Sequence, residues 1–315
     1  MSPGANGKGG SPAFLIAGAT GVIGSRLARA LLADGAHVKA LVRDPDRARR
    51  LLGPEVELFG ADLLAEPDLA PAMKGVQLAY FLVHMMDTGP GYADQEVEAA
   101  RCFATAATAA GVDRLVYLGG LGADAGASPH LDSRHRTAET LRELGPPLTY
   151  FRAAMIVSPG SESYELLRSI AGRLPALPRT DWLTSSTQPI GIRDVVAYLR
   201  EAPRVAESAG REIQIGGPDV MPHLDVIAQF SRETGRRPPL RISLPGGIAS
   251  PGVVAAGAAS VTSGTPGVAA ELALGLQGDT TVTDPSGAEL FTIDPEPLNV
   301  AIQRALAEEE RGLHG

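Results

Sequence analysis

Along the first half of the chain, unbroken apolar runs alternate with stretches in which apolar residues return every three or four positions. Ala13–Ala17 is the first run and ends at a glycine-rich loop; Val22–Leu32 then carries helical spacing and stops near Gly35. The same reading predicts strands over His37–Val42, Glu57–Phe59, Leu78–Val83, Arg114–Leu118 and Leu148–Arg152. Between them it predicts helices over Asp44–Leu52, Leu69–Met73, Asp94–Ala110 and Ser133–Leu144. A strand that is apolar on both faces needs helices on both sides, so the alternation predicts an α/β Rossmann fold with a doubly wound parallel sheet. After Arg152, glycine and proline interrupt shorter segments, with helices expected near Val195–Glu201, Leu224–Thr234 and Pro297–Arg311. The expected organisation is a flexible tail over 1–12, a dinucleotide-binding domain over 13–152, and a small substrate-covering region over 153–315, partly woven into the sheet.

The loop Gly18-Ala19-Thr20-Gly21-Val22-Ile23-Gly24 follows a strand and opens a helix, the context in which a glycine triplet signals a dinucleotide. Glycine permits the tight turn and the close approach of backbone to pyrophosphate, which then rests on the N–H groups of the helix start. The expected contacts are Gly18, Thr20, Gly21, Val22, Ile23 and Gly24. At the end of the second strand, an acid would hold a ribose 2′-hydroxyl and an arginine a 2′-phosphate. The chain has Arg43 there, with Asp44 placed to cap the helix that Pro45 begins. The expected cofactor is therefore NADP(H), the alternative being that Arg43 is merely solvated. Asp62 and Leu63, after the third strand, are placed to meet the adenine.

Composition narrows the remaining classes. The chain has 315 residues, 44% apolar and 20% charged, in the range of a globular protein. Its 28 Lys/Arg against 36 Asp/Glu give a net charge of −8 without a basic run, which argues against nucleic-acid and anionic-membrane partners. The one cysteine, Cys102, lies in an apolar helical pattern and reads as an inert core thiol. No His/Asp/Glu cluster has metal-ligand spacing, so no metal is expected. Ile242–Ala270 has no charged residue, but it is rich in Gly, Ala, Ser and Thr rather than in the roughly 20 strongly apolar residues of a membrane span. The expected setting is soluble and cytoplasmic, with a small-molecule substrate and room for a homodimer.

The segments GATGVIGSRLARALL, ALVRDP and GADLL, with their strand–helix spacing, resemble the NmrA-like, NAD(P)H-binding branch of the atypical short-chain dehydrogenase/reductases. LTYFRAAMIVSPGS resembles the strand that carries the substrate-side wall, and IGIRDVVAYL the segment that returns to the sheet. In the larger family a serine or threonine follows the fifth strand, and Tyr-x-x-x-Lys follows on the next helix. Here glycines 119 and 120 occupy the first place, and the helix reads His130-Leu131-Asp132-Ser133-Arg134. Aligned on Ser133, His130 falls at the tyrosine and Arg134 at the lysine.

Arg134 can donate to ribose hydroxyls but cannot release a proton near neutrality, whereas an imidazole can. His130 is therefore the preferred proton donor, and His84, at the end of the fourth strand, the second. Either histidine is equally readable as a structural residue, His130 as a cap or a solvated side chain and His84 as one held by main-chain bonds. Ser158, Ser161, Ser163 and Trp182 are further candidates for substrate contact. Three functions follow. One is an NADPH-dependent oxidoreductase acting on a carbonyl or conjugated double bond. The others are an epimerase or dehydratase that retains NADP, and a non-catalytic NADP(H)-binding sensor or assembly protein.

Overall fold

The computed structural model describes residues 11–86, 89, 91–122, 129–178, 185–242, 260 and 278–312. Trp182, the tail up to residue 10, and nearly all of the uncharged 242–270 segment lie outside the described residues.

Six strands build the first half: β1 (Ala13–Ala17), β2 (His37–Val42), β3 (Glu57–Gly60), β4 (Leu78–Phe81), β5 (Arg114–Gly120) and β6 (Leu148–Ala153). Each pairs in parallel with its neighbours, in the order β6-β5-β4-β1-β2-β3. A seventh strand, Glu212–Ile215, adds to the β6 edge in parallel register, opposing Glu212 to Tyr150. The second half of the chain thus returns to the sheet here. Ile190–Gly191, in the segment expected to return, instead makes a separate two-residue pair with Ile156–Val157.

The unbroken apolar runs have the cause expected of them. Phe14 and Ile16 of β1, Tyr80 of β4, Val116 and Leu118 of β5 and Phe151 of β6 face one core. Helices α1 (Val22–Ala33), α2 (Pro45–Leu52) and α7 (Ile192–Glu201) fill that core through residues such as Leu27, Leu31, Leu52 and Tyr198. The alternate residues Leu15, Ala17, Ala79, Phe81, Leu115 and Tyr117 face a second core. It is covered by α3 (Ala70–Met73), α4 (Tyr92–Ala109) and α5 (Pro129–Leu144). Every position of β1 and β4, and of β5 between its two end residues, is therefore buried, and polar alternation has no place there.

Two boundaries bear on the site. The fourth strand ends at Phe81 rather than at Val83, which leaves His84 on the connection beyond it. The fifth helix begins at Pro129, four residues before the expected start, and so brings His130 into its first turn. Helix α6 (Glu162–Arg173), which was not anticipated, packs on α8 (His223–Glu233) and α9 (Leu298–Glu310) through Tyr164, Leu167, Ile170, Ile227, Phe230 and Ile302. This third, smaller core stands over the ends of the sheet strands. No helix among the described residues is long and apolar enough to cross a membrane.

Candidate functional site

Strand order reverses between β1 and β4, and ligands of such sheets bind in the crevice outside the carboxyl ends at that point. A cavity of about 480 Å³ occupies it. The glycine loop forms one wall, the connections after β4 and β5 another, and α6 and α8 the roof.

The loop geometry is that of a diphosphate cradle. Gly18 has φ 84°, and a Cβ there would stand 2.4 Å from the Leu82 carbonyl oxygen. At Gly24 a Cβ would stand 2.2 Å from the Gly18 oxygen, where α1 crosses β1. Gly21 differs: it is exposed, and its Cβ would meet only the Gly18 oxygen at 3.3 Å. The protein is far less crowded at Gly21 than at Gly18 or Gly24, as expected if a ligand sets most of the constraint. No side chain caps α1 at Gly21, so the first-turn N–H groups of Val22, Ile23 and Gly24 stay available for an anion. The residues present fit a dinucleotide.

Arg43, Asp62 and Leu63 lie on the β2–β3 side, outside the cavity wall. Arg43 is exposed, with no ion pair among the described residues, while the Asp44 carboxylate accepts from the Arg47 N–H at 2.9 Å and caps α2. Asp62 spends one carboxylate oxygen on the Leu64 N–H at 3.1 Å. Leu63 buries its side chain in the second core, so only its main chain can meet an adenine.

The opposite wall is built on charge. Glu96 of α4 points inward, 1% exposed. One carboxylate oxygen, Oε1, accepts from the Met85 N–H at 2.8 Å and lies 2.9 Å from His84 Nδ1; the other, Oε2, accepts from Ser133 Oγ at 2.9 Å. Burial alone would raise this carboxyl. The Arg134 guanidinium 3.8 Å away, His84 and the Met85 amide outweigh burial and hold it at about 2. His84, 31% exposed, turns Nε2 to Glu162 Oε2 at 3.0 Å, and Arg134 also lies against its Nδ1. Burial and Arg134 push the imidazole down, but the two carboxylates win and raise it above its usual value. His84 is thus held between an inner and an outer carboxylate, both of which favour its charged form.

His130 joins His84, their ring centroids 5.7 Å apart, yet its environment is opposite. Burial first, then Arg134 and His84, force its pKa well below 6.5, and its Nδ1 has no partner among the described residues. The lowered pKa favours the neutral imidazole, which weighs against the expectation that His130 is the preferred acid. Arg134 is likewise engaged: buried, it faces Glu96, His84 and the Val83 carbonyl, rather than standing free for a ribose.

Other expectations sort by the same geometry. Ser158 is fully buried and donates to the Pro159 carbonyl. Ser161 caps α6 and donates to the Ile156 and Ser158 carbonyls at 3.0 and 2.9 Å. Ser161 and Ser163 line the cavity. The Cys102 thiol, raised by burial and then by Glu66 and Glu98, is no thiolate. At Gly119, where a hydroxyl residue was expected, a Cβ would stand 2.8 Å from the Tyr150 hydroxyl, so a serine there would require the buried Tyr150 ring to shift. Glu96 and Glu162 were missed. An acid at Glu96 inside the buried stripe Tyr92, Ala99, Ala100, Phe103 was a readable signal for the first; nothing in the spacing marks the second.

The NmrA-like family model matches residues 12–237. The ceramide reductase of Caulobacter vibrioides is 28% identical over 246 residues, 77% of this chain and 75% of that one. The NAD(P)H azoreductase of Xenophilus azovorans is 25% identical over 227 residues, 71% of this chain and 74% of that one. The NADPH-dependent quinone oxidoreductase QOR2 of Escherichia coli, solved with NADPH, superposes with a TM-score of 0.75 at 20% identity, covering 93% of this chain and 99% of the other. That structure shares the fold and holds the class of cofactor that the glycine loop predicts. With most of its length matched and its glycine cradle in place, the chain belongs to the NmrA-like family.

Proposed function

We propose that the protein is an NADPH-dependent oxidoreductase that reduces a carbonyl or conjugated double bond of a small organic substrate, with His84 as the proton donor. The observation that carries this reading is an imidazole held between two carboxylates, which favour its charged form, on the wall of the same cavity that the glycine cradle opens into. The names of two curated relatives, a ceramide reductase and an azoreductase, support it.

A nicotinamide dinucleotide seated on the cradle supplies the hydride. The protein must then quench the negative charge left on the substrate. His84 holds a proton at Nε2, on the side away from the interior, while Glu96 fixes the ring through Nδ1. Glu162, half in solvent at the first turn of α6, is placed to return a proton to Nε2. Arg134 keeps Glu96 ionised and so positions His84 indirectly. Neutral His130 can bond a substrate oxygen but has no spare proton.

The test follows absorbance at 340 nm while carbonyls, enones and quinones are added to protein and NADPH. Oxidation of NADPH that depends on His84 supports the reading. Tight NADPH binding with no oxidation by any acceptor would favour the sensor alternative, to which the missing Tyr-x-x-x-Lys pair lends weight.

A further inference from the structure

Away from the charged wall, the roof of the cavity is apolar. Leu166, Leu167 and Ile170 of α6 face Val226 and Ile227 of α8 across it. One residue breaks the pattern. His223, the first residue of α8, lines the same cavity, is 3% exposed, and has no hydrogen-bond partner at either ring nitrogen among the described residues. Buried polar atoms are ordinarily satisfied, and leaving one without a partner costs on the order of 1–3 kcal/mol. An orphan imidazole on a cavity wall is thus a group built for something that arrives later, or a standing cost with no return.

We propose that His223 is a second polar anchor of the substrate pocket, binding a neutral hydroxyl or amide carried on the apolar body of the substrate, remote from the reduced bond. The inference rests on the reductase reading and names the class of substrate it serves. Three features decide the chemistry. The leucine, isoleucine and valine walls select an alkyl or aryl body by burial. A neutral imidazole offers one donor and one acceptor, the pattern that a hydroxyl or primary amide complements with both of its own. Burial holds His223 down at about 4 against the opposing pull of Asp279, so the ring carries no charge to pair with a carboxylate. Asp279, whose own carboxylate accepts from the Ser186 N–H at 2.6 Å, would repel such an anion. Thr280 also lines this part of the wall; its hydroxyl donates to Thr187 Oγ1 at 2.8 Å and retains acceptor capacity.

The experiment compares medium-chain 2-ketones whose far end is a methyl, a hydroxyl or a carboxylate, alongside the matching saturated alcohols, which cannot be reduced. Binding of the alcohols is measured by calorimetry on the full chain with NADPH, a pair between which no hydride can pass, and the His223 ring signals are followed by NMR. The hydroxyl-ended member should bind about two- to tenfold more tightly than the methyl-ended one, and the carboxylate-ended one more weakly than either. His223→Phe should erase the hydroxyl preference, and His223→Gln should restore part of it. A diol that binds with this preference and shifts the His223 signals upholds the anchor even where no ketone is reduced, a result that would overturn only the reductase reading. Ketone reduction with equal affinity for all three ends and unmoved His223 signals overturns the anchor and spares the reductase. The series on the unmodified protein decides the question even if His223→Phe does not fold.

Discussion

The two sides of the crevice are made of different material. On the β1–β2 side the wall is mainly main chain: glycine positions let the backbone turn tightly, and the first N–H groups of α1 are left without a side-chain cap. On the β4–β6 side it is four side chains from four separate elements, His84 after β4, Glu96 on α4, Arg134 on α5 and Glu162 on α6. A backbone site is constrained by sterics and a side-chain site by charge balance. The two should therefore fail differently.

Gly21→Val tests the first side and carries the largest expected effect. A Cβ at this exposed position would press only on the Gly18 carbonyl oxygen, at 3.3 Å, so the variant should melt closer to the parent than Gly24→Val does, yet its NADPH binding should vanish because the valine fills the cradle. Gly24→Val should lower the melting temperature as well, since its Cβ would overlap the Gly18 carbonyl oxygen and overpacking of this kind costs typically 1–3 kcal/mol. Calorimetric titration and thermal melts on both variants separate the two causes; normal NADPH binding by Gly21→Val would move the phosphate elsewhere.

The second side should break in the opposite sense, with binding kept and turnover lost. His84→Ala should reduce turnover by about 10²–10⁴-fold while NADPH affinity stays near the parental value. The parental rate should fall as pH rises through the His84 pKa, which lies above 6.5, because the acid form is the working one. That limb should disappear in the variant. His130→Ala should leave the limb in place, and loss of the limb in His130→Ala alone would return the donor role to that residue.

The difference also explains what could be read in the sequence. β1 and β2 were legible to the residue, as was the Asp44 cap, because local sterics write them into contiguous residues. The charged wall was half legible. His84 was visible as a histidine past a strand end, and His130 and Arg134 as one helix face. Which histidine holds the proton was not, because that depends on Glu96 and Glu162, which lie 12 and 78 positions from His84 along the chain. Spacing carries no signal across such distances. Helix α6 escaped notice for a related reason: its buried face looks toward α8 and α9, not toward the sheet whose rhythm organised the first half.

Charge balance on the second side predicts a pH signature in stability. Glu96 falls from its ordinary 4.5 to about 2 in the fold, so its contribution is present above pH 4.5 and is lost as pH drops toward 2. The shift corresponds to about 3 kcal/mol for this fully buried carboxylate. Urea unfolding of Glu96→Gln should show a deficit of that order at pH 7 that narrows on acidification. A constant deficit from pH 7 to pH 3 would mean that packing, and not ionisation, is what Glu96 contributes. His84 has the opposite sign: its raised pKa stabilises the fold at low pH, and that contribution fades as pH climbs through its folded value.

The smallest effect returns to the first side, at the one place where it relies on a side chain. Arg43 stands exposed at the end of β2, while Arg49 of the following helix is committed to the Gly53 and Val56 carbonyls. A guanidinium free in this position offers its fork of donors to a 2′-phosphate, and a charge-assisted bond is worth roughly 1.5–3 kcal/mol. NADPH should accordingly bind at least about tenfold more tightly than NADH, and Arg43→Ala should remove most of that margin without touching NADH affinity. Arg47, exposed one turn into α2, is the control, because Arg47→Ala should change neither. Exposed charge is screened by salt, so the margin should also shrink between low and high ionic strength, which no backbone contact in the glycine cradle would do. Equal affinity for the two dinucleotides at low salt would remove Arg43 from the site and leave the cradle a purely main-chain device.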